Sequence, residues 1–452
     1  MGNAAGSLAG PSRTVAAVII LICLSSAPYM SITRWATDAG LWTTAWPYVF
    51  TYWGPALIGA SLFVIDVVAP WGAHSAADRR RMAVALSVPV ALVTWSVSSA
   101  LWSTSPTTTP TQALLFSLIV ATTAWFGLSL TFRAQLTALF VAAQLLTLGS
   151  LATVVMVESA RSSPYLGDRS WIGLFGNPNS LGPVAAFALI CTIGVAVPAG
   201  RRWWPLLGVV AAADVIVAGG ATSVTSWLAL AAGTITMATV IVVTAGPSDR
   251  RRRRTIGAAA VLLAAVTVAA VLVSSGVLSQ LVRKDATLSG RTVVWGYVVD
   301  AVESRWIIGF GYAAFWDSPD NQRDYMETSG LDWVASSHST FVDALVFLGS
   351  VGLVLVVALV VTSVGRMWWL ALRLPDRQRA WWSGVGAFAL VENLAESMMY
   401  AHSIFWMLLL VPGFAAVRWG PAGVRARDRQ DASVAPQPSG APHSDPTPWL
   451  AT

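Results

Sequence analysis

Residues 277–337 read VLSQLVRKDATLSGRTVVWGYVVDAVESRWIIGFGYAAFWDSPDNQRDYMETSGLDWVASS. This is the only long segment between the first and last apolar runs that cannot lie in a bilayer, because it contains five basic and eight acidic side chains. It ends at Ser336-Ser337-His338-Ser339-Thr340, where a new apolar run begins. The pattern predicts that His338 stands at the mouth of a helix, and we expect the chemistry of the protein in this segment.

Composition places the rest of the chain in a membrane. Of the 452 residues, 55% are hydrophobic and 11% are charged, which lies outside the range of soluble domains. Apolar runs of about 20 residues, the length that crosses a hydrocarbon core, lie at 14–32, 47–69, 83–102, 111–132, 135–157, 180–199, 204–220, 226–245, 256–276, 338–363, 381–400 and 403–418. We therefore predict an all-α polytopic membrane protein with about twelve transmembrane helices and a large helical extracytoplasmic loop.

The first run has a competing interpretation as a cleaved signal peptide. Only Arg13 precedes it, and no small-residue cleavage site follows, so we expect a retained span.

The basic residues predict the orientation, because short cytoplasmic loops carry an excess of Lys and Arg. With the N-terminus inside, most of the 28 Lys and Arg residues fall on the cytoplasmic side of the predicted spans. We therefore predict a multi-pass cell-membrane protein with both termini cytoplasmic. Nine spans occupy 1–276, the extracytoplasmic loop is 277–337, three spans occupy 338–419, and 420–452 is a disordered cytoplasmic tail.

Metal and nucleic-acid chemistry are disfavoured. The four His and two Cys show neither a Cys cluster nor a His pair at metal-ligand spacing, so we predict no metal and no cofactor. The net charge of +6 is explained by topology signals, and membrane lipid rather than nucleic acid is the expected partner.

A second outward loop, at about 158–179, contains Arg161 and Arg169 and leads into an apolar helix. Asn and Ser favour N-cap positions, so Asn179 and Ser180 could simply start that helix. Alternatively, the helix starts at Asn177 and Asn179, at Thr225 and Ser226, and at His338 point their positive dipole ends outward, where they favour an anion.

Arg291 heads a predicted helix on which it shares one face with Trp295, Val298 and Val302, while Asp300 lies opposite. Such an arginine could extend to bulk lipid headgroups. Alternatively it binds a phosphate of a lipid-linked substrate, a task that suits the bidentate guanidinium.

Two histidines are predicted on the outer side, His338 and His402. His338 is either a structural hydrogen-bonding group or a general base, since imidazole titrates near neutral pH. Glu392 and Glu396 lie one turn apart on one face of the eleventh span. An intramembrane carboxylate is costly unless it is paired, so we expect both to face a cavity or an arginine.

Five stretches, in order, resemble the O-antigen ligase and polysaccharide polymerase superfamily. They are GLFGNPNSLG at 173–182, SVTSWLAL at 223–230, LSGRTVVW at 288–295 followed by GFGY at 309–312, SHSTFVDALVFLGSVG at 337–352, and VENLAESMMYAHSIFW at 391–406. The resemblance implies a C-type glycosyltransferase fold and an inverting, metal-independent transfer. The donor it implies is a glycan on undecaprenyl pyrophosphate at the outer leaflet, and the acceptor is a hydroxyl of a glycan or a lipid-linked molecule.

Carried over to this chain, the resemblance implies that Arg291 binds the pyrophosphate and that His338 lies beside the reacting centre. On chemical grounds, Glu396 is a second candidate base for the acceptor hydroxyl. The candidate substrate-binding residues are Arg161, Arg169, Asn177, Asn179, Thr225, Ser226, Glu392 and His402. Many members have a basic residue where this chain has Val224, and many have Asn where this chain has Ser339. The first difference places more of the phosphate binding on Arg291.

Two variants of the transferase stay open. A polymerase extends one lipid-linked glycan with another, whereas a ligase moves the glycan to a different acceptor; we favour the polymerase. A transporter or lipid-linked glycan flippase is the alternative from another class, because twelve spans is a common transporter count. Against it, we detect no internal repeat of the kind that transporters show. A membrane scaffold or sensor would leave Glu392 and Glu396 unexplained.

Overall fold

The structure, a computed structural model, describes residues 11–25, 27, 49–162, 170–197, 199–244, 291–329, 334, 336–373, 379–397, 406–411 and 414. Every regular element among these residues is helical. The α-helices are α1 (Pro11–Leu24), α2 (Gly54–Phe63), α3 (Ala76–Ser98), α4 (Thr108–Ser129), α5 (Phe132–Met156), α6 (Pro178–Ala196), α7 (Trp204–Ala221), α8 (Val224–Thr244), α9 (Arg291–Val302), α10 (Pro319–Ser329), α11 (Thr340–Arg373) and α12 (Arg379–Ala395). Short π-helical turns at Val49–Trp53 and Val64–Val68 extend α2 at both ends.

Eight helical segments within the described residues are long and apolar enough to cross a membrane. They are Thr51–Gly72, Ala76–Leu101, Thr108–Ser129, Phe132–Met156, Pro178–Ala196, Arg201–Ala221, Val224–Thr244 and Thr340–Leu372. The predicted all-α polytopic fold is confirmed. The count of about twelve spans stays a prediction, because 256–276 and most of 403–418 lie outside the described residues.

Close helix packing aligns α8 with α12. The two helices run antiparallel and cross at Gly233 and Gly384, where a Cβ on either glycine would lie within 3 Å of the other's carbonyl oxygen (2.9 and 2.8 Å). Ser226 and Glu392 lie seven and eight residues from this crossing, about 10 and 12 Å along their helices, and so reach the same level.

α6 joins the same end of the bundle. A Cβ on its Gly182 would lie 2.6 Å from Cβ of Ser223, so the absence of a side chain there lets α6 approach the start of α8 closely. The packing therefore gathers the start of α6, the start of α8 and the end of α12, which are the positions that carry three of the sequence motifs.

α11 is broken at Gly349, whose φ of 68° and ψ of −168° are not helical. The loop before α10 fills the break. Backbone N–H groups of Phe310 and Gly311 donate to the carbonyls of Val346 and Phe347 at 3.0 and 2.9 Å, and the N–H of Ser350 donates to the Trp306 carbonyl at 2.8 Å. The loop that follows α9 is thereby attached to the helix that begins beside His338.

α9 and α10 pack on each other through Tyr297. Its hydroxyl donates to Asp324 Oδ2 at 2.8 Å and lies 3.1 Å from the Asn321 carbonyl oxygen. Burial, together with the neighbouring Asp324 carboxylate, raises the pKa of Tyr297, so the phenol keeps the proton that it donates.

Candidate active site

Three residues from distant parts of the chain meet at one carboxylate. Arg291 Nη2 lies 2.7 Å from Glu396 Oε1, and His338 Nδ1 lies 3.3 Å from Glu396 Oε2. The side chains of Arg291 and Glu396 are 21% and 12% exposed, whereas that of His338 is 39% exposed. The imidazole is therefore the member of the group that is most open to an incoming molecule.

Arg291 is positioned by the helix that it starts. α9 buries Val294, Val298 and Val302 and leaves Asp300 exposed. Val298 and Val302 belong to the predicted stripe, whereas Trp295 of that stripe is only partly buried and Val294 lies outside it. Trp295, one turn after Arg291, donates from Nε1 to the Ser337 carbonyl at 2.8 Å. This bond connects the arginine-bearing helix directly to the turn that carries His338.

His338 adopts a backbone conformation that is unusual for a residue with a side chain, with φ of 53°. Its neighbours hold the turn from both sides. Asp343 Oδ1 accepts from Ser337 Oγ at 2.6 Å and from Ser337 N at 3.1 Å, while Ser397 Oγ accepts from Ser339 N at 3.1 Å. Unfavourable φ values persist where the surroundings enforce them and concentrate at functional sites.

Asp343 is a site residue that the sequence analysis missed. It is fully buried in the first turn of α11. The local signal was present, because Thr340-Phe341-Val342-Asp343 matches the spacing of a helix-start capping box. In the structure its carboxylate instead reaches back to Ser337 and to Trp316 Nε1 at 3.2 Å.

Thr340 ties the start of α11 to the end of α12. Its hydroxyl donates to Asn393 Oδ1 at 2.9 Å and lies 3.3 Å from the Glu396 carbonyl. The amide of Asn393 is oriented in turn by a 2.7 Å bond to the Ala389 carbonyl. The separation of His338 from Glu396 is therefore maintained by contacts that do not involve either functional side chain.

Glu392 lies one turn before Glu396 and is completely buried. Neither oxygen of its carboxyl has a hydrogen-bond partner among the described residues, and Ser226, Glu396 and Arg291 are its polar neighbours. Ser226 is also buried and donates to Ser223 Oγ at 2.9 Å, and Thr225 is 9% exposed beside it. Glu392 and Ser226 therefore lie near the Arg291–Glu396 pair, with Thr225 at the edge of the same helix start, and their substrate-binding roles stay predictions.

The start of α6 contains a cap two residues earlier than we predicted. Asn177, not Asn179 or Ser180, is the N-cap, and its Oδ1 accepts from Asn179 N at 2.8 Å. Asn177 is exposed and Asn179 is partly exposed. The Asn177 side chain caps the helix start, and the substrate-binding role of both asparagines stays a prediction.

Arg161 has partners of its own in the second loop. Its Nε and Nη2 donate to the carbonyls of Val154 and Val155 at 2.7 and 2.8 Å, which caps the end of α5. The structure therefore assigns this guanidinium to helix capping and does not connect it to Glu396. Arg169 and His402 lie outside the described residues, and their assignments stay predictions.

The positive charge that the sequence predicts at the site, on Arg291 and the helix starts, is partly balanced in the structure. Arg291 is neutralised by Glu396, and Glu392 lies next to the pair. An arginine paired with a carboxylate was the structural alternative for Glu396, and the geometry contains that pair together with the histidine contact.

A second polar cluster, which the sequence analysis did not name, lies within the bundle. Asp214 on α7 is fully buried and its Oδ2 accepts from Gln144 Nε2 at 3.0 Å and from Thr192 Oγ1 at 3.1 Å. These bonds join α5, α6 and α7.

Across the residues that the structure covers, no group of three or more His, Cys, Asp or Glu side chains is arranged to hold a metal ion.

Comparison with known proteins yields two matches. A family model described as O-antigen ligase matches residues 207–357, which run from α7 into α11 and include Ser226, Arg291 and His338. The exopolysaccharide production protein ExoQ of Rhizobium meliloti (strain 1021) is 29% identical over 121 residues, which cover 25% of this chain and 27% of that relative. The chain therefore matches only about a quarter of the length of ExoQ. On these two matches, the resemblance to the O-antigen ligase and polysaccharide polymerase superfamily is confirmed, and it includes the segment that carries Arg291 and His338.

Proposed function

We propose that the protein is a membrane glycosyltransferase that joins a glycan, carried on undecaprenyl pyrophosphate, to an acceptor hydroxyl at the extracytoplasmic face. The observation that carries this proposal is the meeting of Arg291 and His338 at the two oxygens of Glu396. An anion-binding group and a base thereby stand side by side, as transfer from a diphosphate requires. The family match and the exopolysaccharide role in the relative's name support the same activity.

The diphosphate is the leaving group in this reaction. As its bond to the sugar breaks, negative charge develops on the departing oxygen, and a preorganised cation nearby stabilises that charge. Arg291 supplies a planar guanidinium that binds phosphate in a bidentate manner. No metal is needed in the proposed mechanism, because the arginine and the adjoining helix starts supply the positive charge.

His338 acts as the base. In the tautomer with its proton on Nδ1, His338 donates to the Glu396 carboxylate 3.3 Å away, and the lone pair of Nε2 is free to take the proton of the acceptor hydroxyl. The acceptor oxygen then attacks the anomeric carbon from the face opposite the diphosphate. The diphosphate leaves with the bonding electron pair, so the configuration at that carbon inverts.

We propose that the acceptor is a second lipid-linked glycan, which makes the protein a polymerase rather than a ligase. The support is the name of ExoQ, which describes a role in exopolysaccharide production.

The test is reconstitution of the full-length protein in lipid with a defined undecaprenyl-pyrophosphoryl oligosaccharide, with and without a chelator. We expect longer glycans in both conditions. Arg291→Ala and His338→Ala should each reduce product by a factor of about 100 or more, the range in which general bases and charge-stabilising groups act.

Two matched variants control for loss of a side chain as such. Arg323→Ala removes an exposed arginine of α10, and His74→Ala removes a histidine far along the chain from the site motifs. Both should retain activity. Product at the wild-type level from Arg291→Ala and His338→Ala would contradict the proposal, and movement of the donor across the bilayer without longer glycans would favour the flippase.

A further inference from the structure

The guanidinium that should receive the diphosphate is already occupied. Glu396 Oε1 lies 2.7 Å from Arg291 Nη2, within the range of a strong charge-assisted hydrogen bond. Both side chains are mostly shielded from solvent, so the attraction between them is screened less than that of a surface pair. A diphosphate that binds Arg291 must compete with this carboxylate.

Glu396 has a second partner to which it can move. Its other oxygen, Oε2, already lies 3.3 Å from His338 Nδ1. A carboxylate displaced from Arg291 would therefore shift towards the imidazole.

We propose that Glu396 is an internal counterion that the donor diphosphate displaces from Arg291, and that the displaced carboxylate then orients His338 for proton transfer. This inference rests on the proposed function and adds a coupling between donor binding and the base. Glu396 is then a positioning residue that acts through Arg291 and His338. Before the diphosphate binds, Glu396 neutralises the charge of Arg291 and fixes the orientation of the His338 ring only weakly.

The coupling predicts opposite effects on binding and turnover. Glu396→Gln keeps the shape of the side chain and removes the competing charge. We expect the diphosphate to bind about tenfold more tightly, since one charged hydrogen bond is no longer lost on binding. We expect kcat to fall about tenfold or more, because His338 loses the carboxylate that orients it. Substitution of a residue with a purely structural role would not combine a lower KM for the donor with a lower kcat.

The experiment measures affinity and transfer with the full chain in nanodiscs. Three probes separate the possible sources of phosphate: inorganic pyrophosphate, undecaprenyl pyrophosphate, and phosphatidylglycerol as a bulk lipid headgroup. Glu396→Asp keeps the charge on a shorter side chain and should show intermediate values, which provides a second variant if Glu396→Gln fails to insert. Glu327→Gln, on the exposed face of α10, is the matched control for loss of a carboxylate.

Tighter binding of undecaprenyl pyrophosphate by Glu396→Gln, with reduced kcat, supports the inference, whether or not inorganic pyrophosphate also binds more tightly. Unchanged or weaker diphosphate binding overturns it, as does tightening that is confined to phosphatidylglycerol. Failure of the proposed function looks different, because the wild-type protein itself would then neither bind the diphosphate nor lengthen the glycan.

Discussion

Replacement of Gly349 by alanine should destabilise the protein severely, because this residue creates the break in α11. Its φ of 68° and ψ of −168° lie in a region that is essentially restricted to glycine, at a cost of about 1–3 kcal/mol for other residues. A Cβ built at Gly349 would lie 2.2 Å from the Ile307 carbonyl oxygen, which is backbone and has little freedom to retreat.

The loss of stability in Gly349→Ala depends on which part of the backbone must move to relieve the clash. Relief of the clash displaces the 306–311 loop and weakens its bonds to α11, among them Ser350 N to the Trp306 carbonyl and Gly311 N to the Phe347 carbonyl. Each such bond contributes about 0.5–1.5 kcal/mol. Together with the backbone strain, we expect a loss of about 3 kcal/mol or more in stability.

Gly365→Ala is the control within the same helix. Nothing lies within 4 Å of a Cβ at Gly365, and alanine in a helix interior is favoured over glycine by about 1 kcal/mol. The assay measures the apparent melting temperature of the full-length protein in detergent, with fluorescence-detected size-exclusion chromatography as the readout. We expect a large decrease for Gly349→Ala and none for Gly365→Ala; equal melting temperatures for Gly349→Ala and the wild type would refute the reasoning.

Two further changes test the site and the packing beneath it. Asp343→Asn should lower kcat about 100-fold with little change in the KM for the donor, because the bonds that hold the Ser337–His338 turn weaken while Arg291 stays in place. An equally large loss of donor affinity would argue against separate roles for Asp343 and Arg291. Gly384→Ala should lower the melting temperature, because its Cβ would lie 2.8 Å from the Gly233 carbonyl oxygen and force α8 and α12 apart. A melting temperature for Gly384→Ala equal to that of Gly365→Ala would contradict this geometry.

The pairing of Arg291 with Glu396 changes how the site should be understood. The sequence predicted an arginine and helix starts that bind an anion, but the arginine is balanced by a carboxylate that is also in contact with the candidate base. Balanced charge is easier to hold near a membrane than an unpaired guanidinium. It also allows the arrival of an anion to alter the surroundings of the histidine.

The sequence alone determined the features that depend on composition and local periodicity. Long apolar runs predicted an all-helical membrane protein, and the stripe beginning at Arg291 predicted the burial of Val298 and Val302 on α9. The five motifs predicted the superfamily, because their order along the chain is itself sequence information. Local pattern was sufficient in each case, since helix formation and burial of one face depend on neighbours within a few turns.

Only the tertiary structure decided which partners meet. Arg291 and Glu396 are 105 residues apart, and their contact depends on how α9, α11 and α12 are rotated and at what level they pack. The left-handed turn at His338 and the break at Gly349 likewise arise from bonds made by distant segments, through Trp295 and Ser397 in the first case and the 306–311 loop in the second. The physical reason is that periodicity specifies the face of a helix that is buried, whereas the identity of the group opposite that face depends on close contacts between helices, such as that of Gly233 with Gly384.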